Sequence, residues 1–430
     1  PAAAGWAARC FDGSVDTWAG TYHRLAPCLT APGYLQYMLK VFDIGLTDIG
    51  LDGIHLDNSY YKHCYCERCR GLFRDFLNAM PDLEARTGLP NADQVDPPPL
   101  QRKPGLVTDP LRILWMEFGT RKRLDFVGAL YRRLKELRPD AWLHTNPAFP
   151  KRLASKLYCA FDPFREGQVC DVVCAETGSL PRMDDGRLHS QSEAYLLGDA
   201  AGYRVLSTAW RRGPYGHSPA PTAAGIWTGL AEEFSYHAAL LGNNWLLRAA
   251  GDGDRMLADL PELPRAHAGA VQYFRSLHRD LRLGGRRQWA EVGLLVDSDT
   301  LSQAEATDIP AFRALLAGLQ LRGVPVVLVP GGREAPASVK VLCVCQQSCL
   351  SEEQLARIRD FAARPECRAW IAGQSGRFDE WFVPRNESRW REWRRSPGFL
   401  SDEGTPVPWT EPCDQGGAYF GGEAFDLTPQ

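Results

Sequence analysis

The chain has 430 residues, 44% hydrophobic and 23% charged, with 40 Gly and 13 Trp; 49 Lys and Arg against 52 Asp and Glu leave a net charge of −3. That length allows two domains or three, and the composition is that of a folded globular protein, which sets aside disorder, collagen and coiled coil. No basic run marks a nucleic-acid partner, no stretch reaches the ~18–20 apolar residues of a membrane helix, and the opening Pro-Ala-Ala-Ala-Gly-Trp is neither a signal peptide nor a start with Met, so the chain reads as processed or as an excerpt.

In chain order, residues 35–49 read as a helix and DGIHLDN (52–58) as a short strand ending in polar residues. Residues 71–79 are helical again, and the Pro-rich 91–105 is an exposed loop or insertion. The helix over 111–137 carries Phe118, Val127, Leu130, Leu134 and Leu137 near i+3/i+4 spacing and stops before Pro139. Strands follow at 141–146, 170–176, 203–210 and 243–250, alternating with helices at 191–201, 222–241 and 265–281. Five strand–helix units in series predict a parallel α/β sheet covered by helices.

Polar or aromatic residues end each strand: Asp57 and Asn58, His144 and Asn146, Glu176, Thr208 and Trp210, Trp245 and Arg248. In a (β/α)8 TIM barrel that edge is the active-site rim. Five units predict strands 4–8 of such a barrel, with an open, doubly wound five-stranded sheet as the alternative. A Gly/Arg linker (282–288) leads to a smaller α/β region of flavodoxin-like type: strands at 292–296, 324–329, 340–345 and 368–373, helices at 310–322 and 351–364. It has neither a nucleophile elbow nor a phosphate-binding Gly loop, and is assigned no chemistry. The expected domains are 1–281 and 290–380, with 381–430 unassigned.

Thirteen Cys, an odd number, argue against a full disulfide framework. Cys343 and Cys345 sit in an apolar run and read as core. HCYCERCR (63–70) differs: Cys64, Cys66 and Cys69 form C-x-C-x-x-C, close enough for three thiolates to share one tetrahedral Zn2+. Cys28 is the expected fourth ligand, with His63 in reserve. Four protein ligands make the zinc structural, and no organic cofactor is expected. The plainer alternative is a set of reduced thiols or a redox pair. Reduced-thiol usage favours the cytoplasm.

The run LDNSYYKHCYCERCRGLFRDFL (56–77), with Cys28 upstream in CLTAPGYLQY, resembles the family 42 glycoside hydrolases, bacterial β-galactosidases in which such a cluster follows barrel strand 4. The resemblance implies a TIM barrel followed by a glutamine-amidotransferase-like trimerisation domain, a carbohydrate substrate and a homo-oligomer, a trimer in that family. Two positions depart from the pattern. Ser59 stands where the family carries its acid/base Glu, and STAW (207–210) offers no strand-7 nucleophile.

Glycoside hydrolysis needs two carboxylates, and strand ends supply Asp57 and Glu176. HLDN resembles the strand-4 nucleophile segment of the α-L-fucosidases, which makes Asp57 the expected nucleophile and Glu176 the acid in a drier setting. The plain alternatives are a turn cap at Asp57 and an Arg partner such as Arg248 for Glu176. Asp52 reads as a strand-entrance residue and Glu117 as a packed or paired helix residue. Asn58, Tyr60, His144, Asn146, Trp210, Trp245 and Arg248 are the expected substrate contacts, with Tyr61, Arg211 and Arg212 nearby; aromatic rings stack on the apolar faces of sugars. A loop over 213–219 is placed to cover the site. The leading expectation is a retaining glycosidase, and the second a silent carbohydrate-binding or assembly relative. A metal-dependent hydrolase is third, set aside because no strand end shows paired His.

Overall fold

The computed structural model describes residues 3–17, 24–57, 59, 61, 63–99, 109–147, 160–176, 181–184, 187–208, 212–213, 216–217, 222–237, 261–281, 289–303 and 310–401. Two sheets organise them. The first has four strands, β1 (Gly53–Leu56), β2 (Trp142–Thr145), β3 (Val172–Glu176) and β6 (Arg204–Thr208), in the order β1-β2-β3-β6, with hairpins β4 (Arg182–Asp184) with β5 (Arg187–His189) and β7 (Arg212–Gly213) with β8 (Gly216–His217) between and after them. β1 pairs with β2, and β2 with β3, in parallel. Strand order follows chain order without reversal. That is how a barrel is wound, whereas a doubly wound sheet reverses direction at a switch point. The chain therefore forms an arc of a parallel barrel, as expected, and not the open doubly wound alternative. The described strands do not close into a ring.

The connecting helices begin and end on local signals. Helix α1 (Pro32–Asp43) has Pro at its first turn and runs on as a π turn, Ile44–Asp48. Helix α2 (Glu67–Asn78) begins at Cys66, and a short α3 (Leu83–Thr87) ends at Gly88, which takes φ +73. Helix α4 (Pro110–Leu137) is capped by the Asp109 carboxylate, which accepts from the Leu111 amide at 3.0 Å. Before it, the stretch 91–99 is less free than its prolines suggest. Ala92 is fully buried, Arg74 donates to the Val95 carbonyl and Arg70 pairs with Asp96 at 2.9 Å, all tying the stretch to α2.

The second sheet is fully parallel: β9 (Val292–Val296), β10 (Val326–Pro330), β11 (Val341–Cys345), β12 (Arg368–Ala372) and β13 (Phe399–Ser401), ordered β10-β9-β11-β12-β13. Its order reverses between β9 and β11, the doubly wound pattern. Apolar runs such as VVLVP and VLCVC are what strands covered on both faces require. The region past 381 holds elements its Trp- and Pro-rich composition hides: helix Glu387–Arg394, capped by Asn386, and edge strand β13. The expected strand at 243–250, the linker 282–288, and residues 402–430 lie outside the described residues.

By packing, the chain divides into two compact units. One comprises 1–173, 298–307 and 380–383, and the other 174–297, 308–379 and 384–430.

Candidate functional site: a thiol cluster and a strand-end rim

The N-terminal segment is held by short antiparallel bridges, Ala7 with Pro27, Arg9 with Val15 and Thr17 with Leu25. The Cys28 amide donates to the Trp6 carbonyl at 2.7 Å and the Tyr65 amide to the Arg9 carbonyl at 2.9 Å, which brings Cys28 alongside the 64–69 run. Cys28, Cys64, Cys66 and Cys69 offer four sulfurs that all lie within 4.8 Å of one another. Cys28 Sγ is 3.9 Å from Cys66 Sγ and 3.6 Å from Cys69 Sγ. Four 2.3 Å metal–sulfur bonds in a tetrahedron place sulfurs about 3.8 Å apart, and disulfides need about 2.05 Å. The four thiols are free and can hold a metal ion.

The surroundings suit thiolates. Thr30 Oγ1 lies 3.1 Å from Cys28 Sγ and 3.2 Å from Cys69 Sγ, and the Arg9 amide donates to Cys64 Sγ at 3.3 Å. Cys66 and Cys69 stand at the N-terminal turn of α2, where the helix dipole favours negative charge. The neighbouring thiols, Cys28 first, hold Cys66 below the ordinary thiol range and push Cys69 above it, as expected where one negative charge is shared among close sulfurs.

Tyr61 is buried with its hydroxyl 3.3 Å from Cys69 Sγ, so it serves this cluster and not a sugar-stacking rim. The reserve ligand His63 is not in the four-sulfur set; it packs between Tyr61 and Trp115 against Gly119, where any Cβ would come within 2.6 Å of its ring. Phe73, Leu77, Trp115 and Phe118 enclose the cluster.

The rim lies at the ends of β1 and β2. Asp57, just past β1, has a side chain 58% exposed, and its Oδ1 accepts from Asn146 Nδ2 at 3.0 Å. His55 Nε2 stands 3.8 Å from the same oxygen. The parallel register sets His55 directly beside His144, and their Nδ1 atoms are 3.0 Å apart. Burial depresses both imidazoles: His144 falls to about 4, with help from the neighbouring ring, while Asp57 partly opposes the effect at His55. No paired His is visible at any strand end in the sequence, yet the register makes one. Its only sequence trace is that each histidine stands two residues before a strand-end polar group.

Beneath this face, Arg123 of α4 and Glu166 form a fully buried, two-pronged ion pair. Thr145 Oγ1 donates to Glu166 Oε1 at 2.9 Å, and Arg123 Nε donates to the Ser59 carbonyl at 2.6 Å. The Ser59 amide in turn donates to the Asn146 carbonyl at 2.9 Å. One buried charge network thus fixes the backbone at Ser59, two residues past Asp57. Sequence reading missed both members, since a helix Arg and a Glu in PFRE look like surface residues.

The remaining site residues are accounted for individually. Glu176 ends β3, and its side chain lies outside the described ones. Asn58, Tyr60, Arg211, Trp210, Trp245 and Arg248 also lie outside the described residues. Asp52 precedes β1 and pairs with Arg138 at 3.2 Å, a strand-entrance role. Glu117 pairs with Arg121 and Arg165, a helix-surface role.

No family model matches the sequence, and neither does any curated protein. Solved structures do. The chain is similar to a catalytic mutant of a family 42 β-galactosidase from G. stearothermophilus (TM-score 0.64, 16% identity, 89% of this chain and 60% of that one). It is also similar to the β-galactosidase of the psychrophilic Marinomonas ef1 (TM-score 0.64, 16% identity, 89% and 64%) and to α-L-fucosidase isoenzyme 2 of Paenibacillus thiaminolyticus (TM-score 0.52, 16% identity, 87% and 50%). At such identities the likeness is one of fold, and the chain spans about 60% of the family 42 enzyme's length. The α/β fold is that of the family 42 TIM-barrel enzymes.

Proposed function

We propose that this chain is the rim-bearing part of a retaining glycoside hydrolase acting on an oligosaccharide or glycoconjugate. One observation carries the reading: Asp57, an exposed carboxylate at the C-terminal end of a barrel strand, is held by Asn146 and faced by His55, on a fold shared with glycosidases. In this reading Asp57 is the nucleophile, attacking the anomeric carbon, and Glu176 protonates the departing oxygen. Glu176 then takes a proton from the water that releases the sugar. Asn58, Tyr60, His144, Asn146, Trp210, Trp245 and Arg248 bind the sugar. The four cysteines hold one structural Zn2+, which pins the N-terminal segment to α2 and takes no part in the chemistry. Residues 290–380 serve as an amidotransferase-like assembly domain behind a barrel domain over 1–281, in a trimer, and the free buried thiols suit a reducing compartment such as the cytoplasm. Among the described residues no helix is long and apolar enough to cross a membrane.

Ser59 favours a second reading, a silent carbohydrate-binding or assembly relative. It occupies the position of the family's acid/base Glu, and its hydroxyl is buried with no hydrogen-bond partner among the described residues. A panel of aryl glycosides separates the two. The first reading expects turnover by the full chain and near-complete loss in Asp57→Asn with folding spared. It also expects Glu176→Gln to lose about 10²–10⁴-fold on poor leaving groups and far less on good ones. Turnover unchanged in both variants removes the two assignments, and no turnover of any glycoside, with binding retained, selects the second reading. Metal analysis of protein purified without chelator is expected to find one zinc per chain.

A further inference from the structure

We infer that His55 and His144 form a second metal site, taking one late first-row divalent ion on the open side of the β1–β2 pair, separate from the four cysteines; it shares His144 and Asp57 with the glycosidase reading but is tested by metal stoichiometry, so the two can fail separately. The two histidines come from adjacent strands in direct register, and their Nδ1 atoms are 3.0 Å apart. A single ion bound at 2.0–2.1 Å by two imidazoles at the tetrahedral angle places those nitrogens about 3.3 Å apart, so a few tenths of an ångström of ring movement suffices. The present distance fits a hydrogen bond between the two rings, whose proton the ion replaces. Imidazole nitrogens select zinc, nickel or copper over magnesium or calcium.

A neighbouring carboxylate supports a ligand there. Asp57 Oδ1 stands 3.8 Å from His55 Nε2, on the side turned away from His144, so a shift of about 1 Å brings it to hydrogen-bond distance, from which carboxylates orient metal-bound histidines. His55 is 44% exposed, so an ion held by two side chains keeps positions open to water or to a bound molecule's hydroxyl groups.

Isothermal titration of the full chain, its cysteines first loaded with one equivalent of zinc, tests this with Ni2+ and Zn2+ as probes and Mg2+ as control. The expected result is one further equivalent of Ni2+ or Zn2+ and none of Mg2+. The His55→Ala/His144→Ala double variant loses that equivalent while keeping its first zinc, and Asp57→Asn weakens it by about 10–100-fold. If the double variant loses its near-ultraviolet circular dichroism, His55→Ala alone, at the exposed member, decides. The wild type taking no second equivalent, or a folded His variant binding it undiminished, overturns the site.

Discussion

The two parallel sheets treat their carboxyl ends in opposite ways. In the doubly wound sheet, the crevice where strand order reverses is filled by the protein itself. Gln347 Oε1 accepts from the Asp297 amide at 2.8 Å, Gln354 Nε2 donates to Asp297 Oδ1 at 2.6 Å, and Ser375 Oγ accepts from the Gln347 amide at 3.1 Å. All four residues are buried, and Gly331 packs so closely that any Cβ would lie 2.6–2.7 Å from Gln354 and Asp297. Open α/β sheets bind ligands at that crevice, and here, among the described residues, these side chains occupy it. In the barrel arc, by contrast, His55 and Asp57 face solvent, and Asp57 is held in place by Asn146 without being covered. A satisfied and sealed network makes a scaffold, and an oriented, open one makes a site.

Mutations can break this contrast at several points. The largest effect is expected from Arg123→Met, which strands the Glu166 carboxylate in a fully buried position. Denaturant unfolding is expected to show a loss of about 3–5 kcal/mol, with most of it regained in Arg123→Met/Glu166→Leu. Equal losses in the single and double variants would mean that the pair acts only through packing.

Ile371→Ala probes the sealed sheet. Ile371 has no exposure and lies in a core with Leu295, Val344, Ile358 and Trp390. A loss of about 2–5 kcal/mol is expected, with the metal content of the cysteine cluster unchanged. A change in metal content would show that the two regions are not independent.

The smallest expected effect is a pH dependence at the rim. His144 takes up a proton near pH 4 when folded but near 6.5 when unfolded. Between those values the unfolded chain binds more protons, so stability falls as pH drops from about 6.5 towards 4 and is unaffected above that window. Partial exposure limits the loss to on the order of 2 kcal/mol. Unfolding midpoints of wild type and His144→Gln across pH 4–8, with no metal beyond that of the cysteines, check it, since any release from the cysteines is common to both proteins. Parallel curves for the two proteins would remove His144 as the source.

Much of the architecture was readable along the chain. Periodicity placed the long helix over 111–137 within a residue of α4, because Asp109 and Pro110 mark its start and Pro139 follows its end. The apolar runs of β9 and β11 were equally plain. Hidden were elements with little apolar patterning, the two hairpins and the helix at Glu387–Arg394, and the anchoring of 91–99, where Arg70 and Arg74 of α2 hold a segment that composition marks as free.

What the sequence determined by itself is what neighbouring residues decide: strand or helix, the order of the elements, and three cysteines close enough to share an ion because six residues hold them all. Cys28, expected beside the cluster from the sequence, meets Cys69 across 41 residues. The tertiary structure alone decided the other distant pairings: Arg123 meets Glu166 across 43 residues, and His55 meets His144 across 89. Each depends on strand register or on loop closure, and neither leaves a local pattern, since any His on β2 would read the same until the ladder set which residue of β1 it stands beside.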